Sequence, residues 1–195
     1  MSIDTVVFDI GGVLVTGASI GSMLNGAGIQ YGENERRYWL QVKVGEITED
    51  EFFRALLKDE SLVETAKNDL RKYIQSAAKG PAYELACKVQ ERGMHRGIIS
   101  NHVAPWAYGS LKAVGVDKVF EGFPILISDE VGLAKPDRRI YELALERLKK
   151  PAENCVFIDD KQRNVDSARE VGMKAVLCKD KETVYKELRA LGLEV

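Results

Sequence analysis

The sequence predicts an α/β fold: a parallel, Rossmann-like sheet sandwiched by helices, with a small helical segment inserted after the first strand. Three observations carry this. Apolar runs at 5–8, 97–99, 125–127, 155–158 and 175–177 are short and rich in β-branched and aromatic residues, as strands buried on both faces require. Helix-period segments at 82–91, 105–113, 138–149, 162–171 and 181–191 alternate with them, a pattern that implies crossovers between parallel strands. The stretch 17–79, by contrast, holds helical patterns and no convincing strand.

Taken in order, the first strand runs into Asp9 within Val7-Phe8-Asp9-Ile10-Gly11-Gly12. In the insertion, Thr48 is placed to cap a helix whose first turn, Glu49-Asp50-Glu51, is acidic and whose later residues are apolar. No Pro/Ser-rich linker borders it, so it is expected to pack beside the sheet, giving a core of 1–16 and 80–195 and an insert of 17–79. Its aromatics, Tyr31, Tyr38, Trp39, Phe52 and Phe53, either line a pocket or, as helical spacing favours, form the insert's own core. Arg36 and Arg37 either meet an anionic group or are solvated. In the second half, Gly93, Gly115, Gly172 and Gly192 close the helices.

Composition bounds the function. The 195 residues are 45% hydrophobic and 30% charged, which excludes disorder and low-complexity arrays. Lys and Arg total 28 against 30 Asp and Glu, so a nucleic-acid binder that neutralises phosphates is not expected. Cys87, Cys155 and Cys178 are odd in number and lack zinc spacing with His95 or His102, which suits reduced thiols. The start at Met1 and Ser2 lacks a basic leader, and no run reaches the roughly 20 apolar residues of a membrane helix. A cytoplasmic protein without membrane partners, monomeric or weakly dimeric, is the expectation.

Ligands of open parallel sheets sit at the carboxyl ends of strands. Those ends carry Asp9, then Ser100-Asn101-His102, then Lys135-Pro136-Asp137, then Asp159-Asp160, with Asn164 one helical turn on. Each alone can be a turn or a helix cap. Together they would bring three carboxylates, a hydroxyl and an ammonium to one edge. Clustered carboxylates repel one another unless a cation sits among them, and a hard, oxygen-coordinated ion such as Mg2+ suits the set better than zinc. A carboxylate nucleophile beside a metal and phosphate donors suggests phosphoryl transfer.

The order Phe-Asp-Ile-Gly-Gly-Val-Leu, Ile-Ile-Ser-Asn, Lys-Pro-Asp and Phe-Ile-Asp-Asp-(three residues)-Asn resembles the four motifs of the haloacid dehalogenase (HAD) superfamily over essentially the whole chain. The insertion, with Gly45-Glu46-Ile47-Thr48, is similar to the C1-type cap of a branch holding sugar-phosphate phosphatases and the phosphatase domain of bifunctional epoxide hydrolases. The resemblance implies an HAD-type core and a hydrolase for a small phosphorylated metabolite, a sugar phosphate among the candidates. By the same resemblance Asp9 is nucleophile and metal ligand, and the Gly11 carbonyl is a second ligand. Ser100 and Lys135 hold the transferring group, and Asn101, His102, Gly11 and Gly12 bind substrate. Asp160 ligates Mg2+ directly and Asp159 mainly through water, with exchanged roles left open, and Asn164 orients the acidic pair.

One position departs from the pattern. Family phosphatases usually carry a second Asp two residues after the nucleophile, as general acid and base, and this chain has Gly11 there. Such help is typically worth about 10^2–10^4-fold. Either good leaving groups suffice, or His102 or Glu46 substitutes, or turnover is lost and the scaffold only binds. Haloacid dehalogenases also lack that Asp but need no metal, so Asp159-Asp160 favours phosphoryl chemistry. A Rossmann dinucleotide site lacks its glycine pattern here, Ala18-Ser19 stands where a P-loop needs Lys-Ser/Thr, and a receiver domain places its acidic pair early rather than late.

Overall fold

Thr5–Phe8 forms β1, every residue of which is buried. The computed structural model describes residues 3–17, 20–26, 28–57 and 59–194. Met1 and Ser2 of the expected leader-free start, and Ala18 and Ser19 of the P-loop comparison, lie outside the described residues. After β1 come β2 (Val15–Thr16), α1 (Ile20–Gly26), α2 (Glu33–Val42), α3 (Glu49–Leu57), α4 (Val63–Gln75) and β3 (Ala78–Lys79). The second half runs α5 (Tyr83–Glu91), β4 (His95–Ser100), α6 (Ala104–Val114), β5 (Ile125–Ile127), α7 (Ser128–Val131) and α8 (Arg138–Leu148). It ends with β6 (Cys155–Asp159), α9 (Gln162–Glu170), β7 (Lys174–Leu177) and α10 (Lys181–Ala190).

The main sheet has the order β5-β4-β1-β6-β7 and all its pairs are parallel. The chain steps from β1 outward through β4 and β5, then returns to β6 on the other side of β1. The carboxyl ends of β1 and β6 therefore flank the point where strand order reverses, the place such sheets offer a ligand. The α/β expectation holds, and its physical basis is visible along β1. Val6 and Phe8 pack into the apolar cluster shared with α5, α6 and the inserted helices, while Val7 packs with Ile140, Tyr141 and Val165 on the opposite face. Burying a side chain such as Phe8 contributes about 1.5–3 kcal/mol.

Two features depart from the expectation. Ala78–Lys79, within the stretch expected to hold no strand, pairs antiparallel with Val15–Thr16, so the chain leaves for the inserted helices and returns from them through one small ribbon. Two-residue strands carry no periodicity to read. The short helix α7 also follows β5 directly, in a stretch to which the sequence reading assigns no helix.

Within the insertion, the Thr48 cap is present as a reciprocal box. Glu51 N–H donates to Thr48 Oγ1 at 3.2 Å and Thr48 N–H donates to Glu51 Oε2 at 2.8 Å. Phe52 and Phe53 are fully buried and meet Trp106 of α6 at ring separations of 5.9 and 6.1 Å. Trp106 Nε1–H donates to Glu49 Oε1 at 2.5 Å. Tyr31 and Tyr38 pack partly buried against the same cluster. Most of the insert's aromatics are thus core, joining the inserted helices to α6. No helix among the described residues is long and apolar enough to cross a membrane.

Candidate active site

The site is built from strand ends. Asp9 follows β1 and its N–H still donates to Ile158 O of β6 at 2.9 Å, holding it against that strand. Its Oδ1 accepts from Ile10 N–H at 2.7 Å. Ser100 closes β4 and Asp159 closes β6. Lys135 arrives by a loop, and Asn101 clamps its backbone: Lys135 N–H donates to Asn101 Oδ1 at 2.8 Å and Asn101 Nδ2 donates to Lys135 O at 2.7 Å. Asn101, expected beside the substrate, therefore spends its amide on positioning the lysine.

The Lys135 ammonium is buried and all three of its protons have acceptors. They lie 2.6 Å from Asp159 Oδ2, 2.9 Å from Asp9 Oδ1 and 2.7 Å from Ile99 O. Asp159 also accepts from Lys161 N–H at 2.8 Å and from Asn164 Nδ2 at 2.9 and 3.0 Å. Asn164 is itself placed by Tyr141, whose hydroxyl donates to Asn164 O at 2.9 Å. Asp160 differs: its side chain is a third exposed and its nearest cation, Lys161, stands 3.9 Å away. Gly12 makes room for it. A Cβ at position 12 would fall 2.8 Å from Asp160 Oδ2, and the backbone there has φ +77°, which favours glycine.

Burial pushes the Asp9 carboxyl up to about 6; Lys135 opposes this and Asp159 adds to it. Burial also acts on Asp159, but Lys135 and the donated hydrogen bonds outweigh it and hold that carboxyl below the ordinary range. Lys135, despite its burial, is held above the ordinary lysine value by Asp159 and Asp9. Burial raises the Asp160 carboxyl. Asp159 is thus the committed anion of the pair and Asp160 the uncommitted one.

Asp9, Ser100, Lys135 and Asp160 face a cavity of about 300 Å3 that also takes in Gly11, Gly12, His102 and Trp39, with Asp159 buried behind them. His102 is buried, its ring edge-on to Trp39 and Trp106, and its Nδ1 accepts from Val103 N–H at 3.0 Å. Burial lowers its pKa to about 4, so at neutral pH it is uncharged with its proton on Nε2. It can donate a hydrogen bond but cannot serve as a charged acid there. Glu46 is exposed and does not line the cavity. The preceding Gly45, at φ +72°, packs so tightly that a Cβ would lie 2.6 Å from Asp129 O. Arg36 and Arg37 are exposed and also lie off the cavity, Arg37 stacking on Tyr38. The sequence reading missed the basic groups that do line it: Lys43, Lys161 and Arg163. At Gly11, a Cβ would meet nothing within 4 Å, so packing does not demand the missing side chain.

The donor set fits a divalent cation. One carboxylate oxygen from each of Asp9, Asp159 and Asp160 lies within 4.8 Å of the others. They are hard oxygen donors without nitrogen or sulfur, as Mg2+ or Ca2+ prefers.

The sequence profile of the haloacid dehalogenase-like hydrolases matches residues 3–172. The chain belongs to that family. A phosphatase of Mycobacterium tuberculosis is 30% identical over 98% of this chain and 96% of its own length. A drimenol cyclase of Aspergillus calidoustus is 28% identical over 77% of this chain, and the bifunctional epoxide hydrolase 2 of Sus scrofa is 32% identical over 55% of it. The chain spans only 29% and 20% of those two relatives.

Among solved structures, an HAD-family enzyme of Bacteroides thetaiotaomicron in complex with magnesium and inorganic phosphate superposes with a TM-score of 0.73. It is 22% identical, over 90% of this chain and 94% of that one. The L-2-haloacid dehalogenase of Xanthobacter autotrophicus superposes at 0.64, with 19% identity over 96% and 83% of the two chains. These likenesses establish the HAD fold. The chain is a hydrolase of the HAD family, and phosphatases and a dehalogenase both stand among its neighbours.

Proposed function

We propose that this HAD hydrolase is a Mg2+-dependent phosphatase that transfers the phosphoryl group of a small metabolite to Asp9 and then to water. The observation that carries the reading is the shared lysine. One buried ammonium holds both the candidate nucleophile, Asp9, and one member of the acidic pair, Asp159, leaving Asp160 open to the cavity.

Asp9, Asp160 and the Gly11 carbonyl would hold the metal, with Asp159 behind them. A bound Mg2+ would neutralise phosphoryl oxygens that three carboxylates otherwise repel. Residues 17–79 serve as the cap that closes over the leaving group and limits water.

Asp9, with one oxygen fixed by Ile10 N–H and Lys135, attacks phosphorus as the bond to the leaving oxygen breaks. Ser100 donates to the transferring oxygens, and the Lys135 ammonium, its protons held by Asp9, Asp159 and Ile99 O, sets its charge beside them. Water then attacks the phosphorus of the aspartyl phosphate, releasing inorganic phosphate and restoring the Asp9 carboxylate. Neither step has the acid and base that an Asp at position 11 would supply, and neutral His102 offers only an N–H. The reading therefore favours leaving groups that need little protonation, such as acyl or anomeric phosphates.

Phosphate release from a metabolite panel, with Mg2+ and with chelator, tests it. Turnover that stops with chelator and in Asp9→Asn supports the proposal. Halide release from a 2-haloacid that ignores chelator would replace it with the dehalogenase reading, which Gly11 favours.

A further inference from the structure

The same cavity that holds the acidic cluster presents Lys43, Lys161 and Arg163. Lys43 sits at the end of α2 and the other two at the start of α9, so their meeting is made by the fold and is not a charge run along one helix. Lys135 is saturated by Asp9, Asp159 and Ile99 O, and Lys161 stands 3.9 Å from Asp160. Lys43 and Arg163 have no carboxylate within 4.0 Å and no side-chain hydrogen bond among the described residues. Lys43 is half-buried, and burial together with repulsion from Arg163, Lys161 and Arg36 lowers its pKa.

We infer that the substrate carries a second anionic group, a carboxylate or a second phosphate, on its leaving-group side, and that Lys43 and Arg163 bind it. This rests on the phosphatase reading and narrows its substrate class. The charge balance points the same way. With a divalent ion bound, the carboxylates of Asp9, Asp159 and Asp160 against four cations leave a surplus that a single phosphate dianion does not cancel. Clefts lined with unmatched charge of one sign concentrate ligands of the other. Trp39, one turn before Lys43 on α2, also lines the cavity and gives the connecting carbons an apolar wall.

Two matched pairs test this: 3-phosphoglycerate against glycerol 3-phosphate, and glucose 1,6-bisphosphate against glucose 1-phosphate, with p-nitrophenyl phosphate as reference. The two-anion member of at least one pair should have a kcat/KM higher by about ten- to hundred-fold, the range of one or two charge-assisted hydrogen bonds. The pair that responds tells carboxylate from phosphate. Lys43→Gln and Arg163→Gln should each lower kcat/KM for that substrate about ten-fold, mainly through KM, and lower it much less for the single-anion partner and the reference. Equal kcat/KM within both pairs, or equal losses in the variants, overturns the inference while leaving the phosphatase reading intact. If no phosphomonoester is hydrolysed at all, the phosphatase reading falls. Thermal-shift titration of the same compounds then decides: the inference needs the two-anion probes to raise Tm more than their partners in the natural protein and not in Lys43→Gln.

Discussion

Lys135 Nζ stands 2.6 Å from Asp159 Oδ2, a fully buried ion pair that also supports Asp9 at 2.9 Å. Replacing Lys135 with Met would leave two buried carboxylates without their cation. Breaking such a pair costs about 3–5 kcal/mol. Urea unfolding at pH 7 should show that loss for Lys135→Met, together with loss of turnover. A midpoint within error of the natural protein would mean that the lysine is not the keystone the geometry makes it.

Gly12 is the floor beneath Asp160. Gly12→Ala meets both a positive φ, at a cost of about 1–3 kcal/mol, and a Cβ placed 2.8 Å from Asp160 Oδ2. Displacing that carboxylate should weaken Mg2+ binding by an order of magnitude or more, read by titration calorimetry on the folded variant. Gly11→Ala, with open space around its Cβ, should bind Mg2+ as the natural protein does.

The same open space makes Gly11→Asp a gain-of-function experiment. If leaving-group protonation limits turnover, the added carboxyl should raise kcat for simple alkyl phosphates by about 10^2-fold and change acyl phosphates far less. Parallel rates for both classes, before and after substitution, would remove the missing acid from the explanation.

His102 gives a pH signature. Burial lowers its folded pKa to about 4 from 6.5, so the unfolded chain takes up its proton first as pH falls. Its contribution is fully present above about pH 6.5 and is lost progressively down to about pH 4, a loss of about 3 kcal/mol. Unfolding free energies at pH 7.5, 6 and 5 should therefore fall less steeply in His102→Gln, which keeps an acceptor for Val103 N–H. Parallel slopes would mean that His102 titrates as in water.

Much of this was legible in the sequence because the strands are short apolar runs with chemistry at their ends. Asp9, Ser100 and Asp159 each follow or close such a run, and the five-stranded order then brings them to one edge. What escaped had no local signal. The ribbon of Val15–Thr16 and Ala78–Lys79 is too short for a period. Lys43 reads as an ordinary basic residue after a helix, and only the fold brings it to the cavity that Asp160 also lines. Lys161 and Arg163 offered a hint, two cations flanking a helix start beside an acidic pair, but solvated charge is the usual meaning of such residues. Glu46, a candidate to swing in with the cap and replace the missing acid, is exposed and off the cavity.

The central claim is covalent: phosphate passes through Asp9. Acid-quenched single turnover with a radiolabelled phosphomonoester and Mg2+, followed by peptide mapping, tests it most directly. The account predicts label on the peptide containing Asp9, lost with hydroxylamine, absent in Asp9→Asn and absent when chelator is present from the start. Undiminished phosphate release by Asp9→Asn, with no labelled peptide, would contradict it.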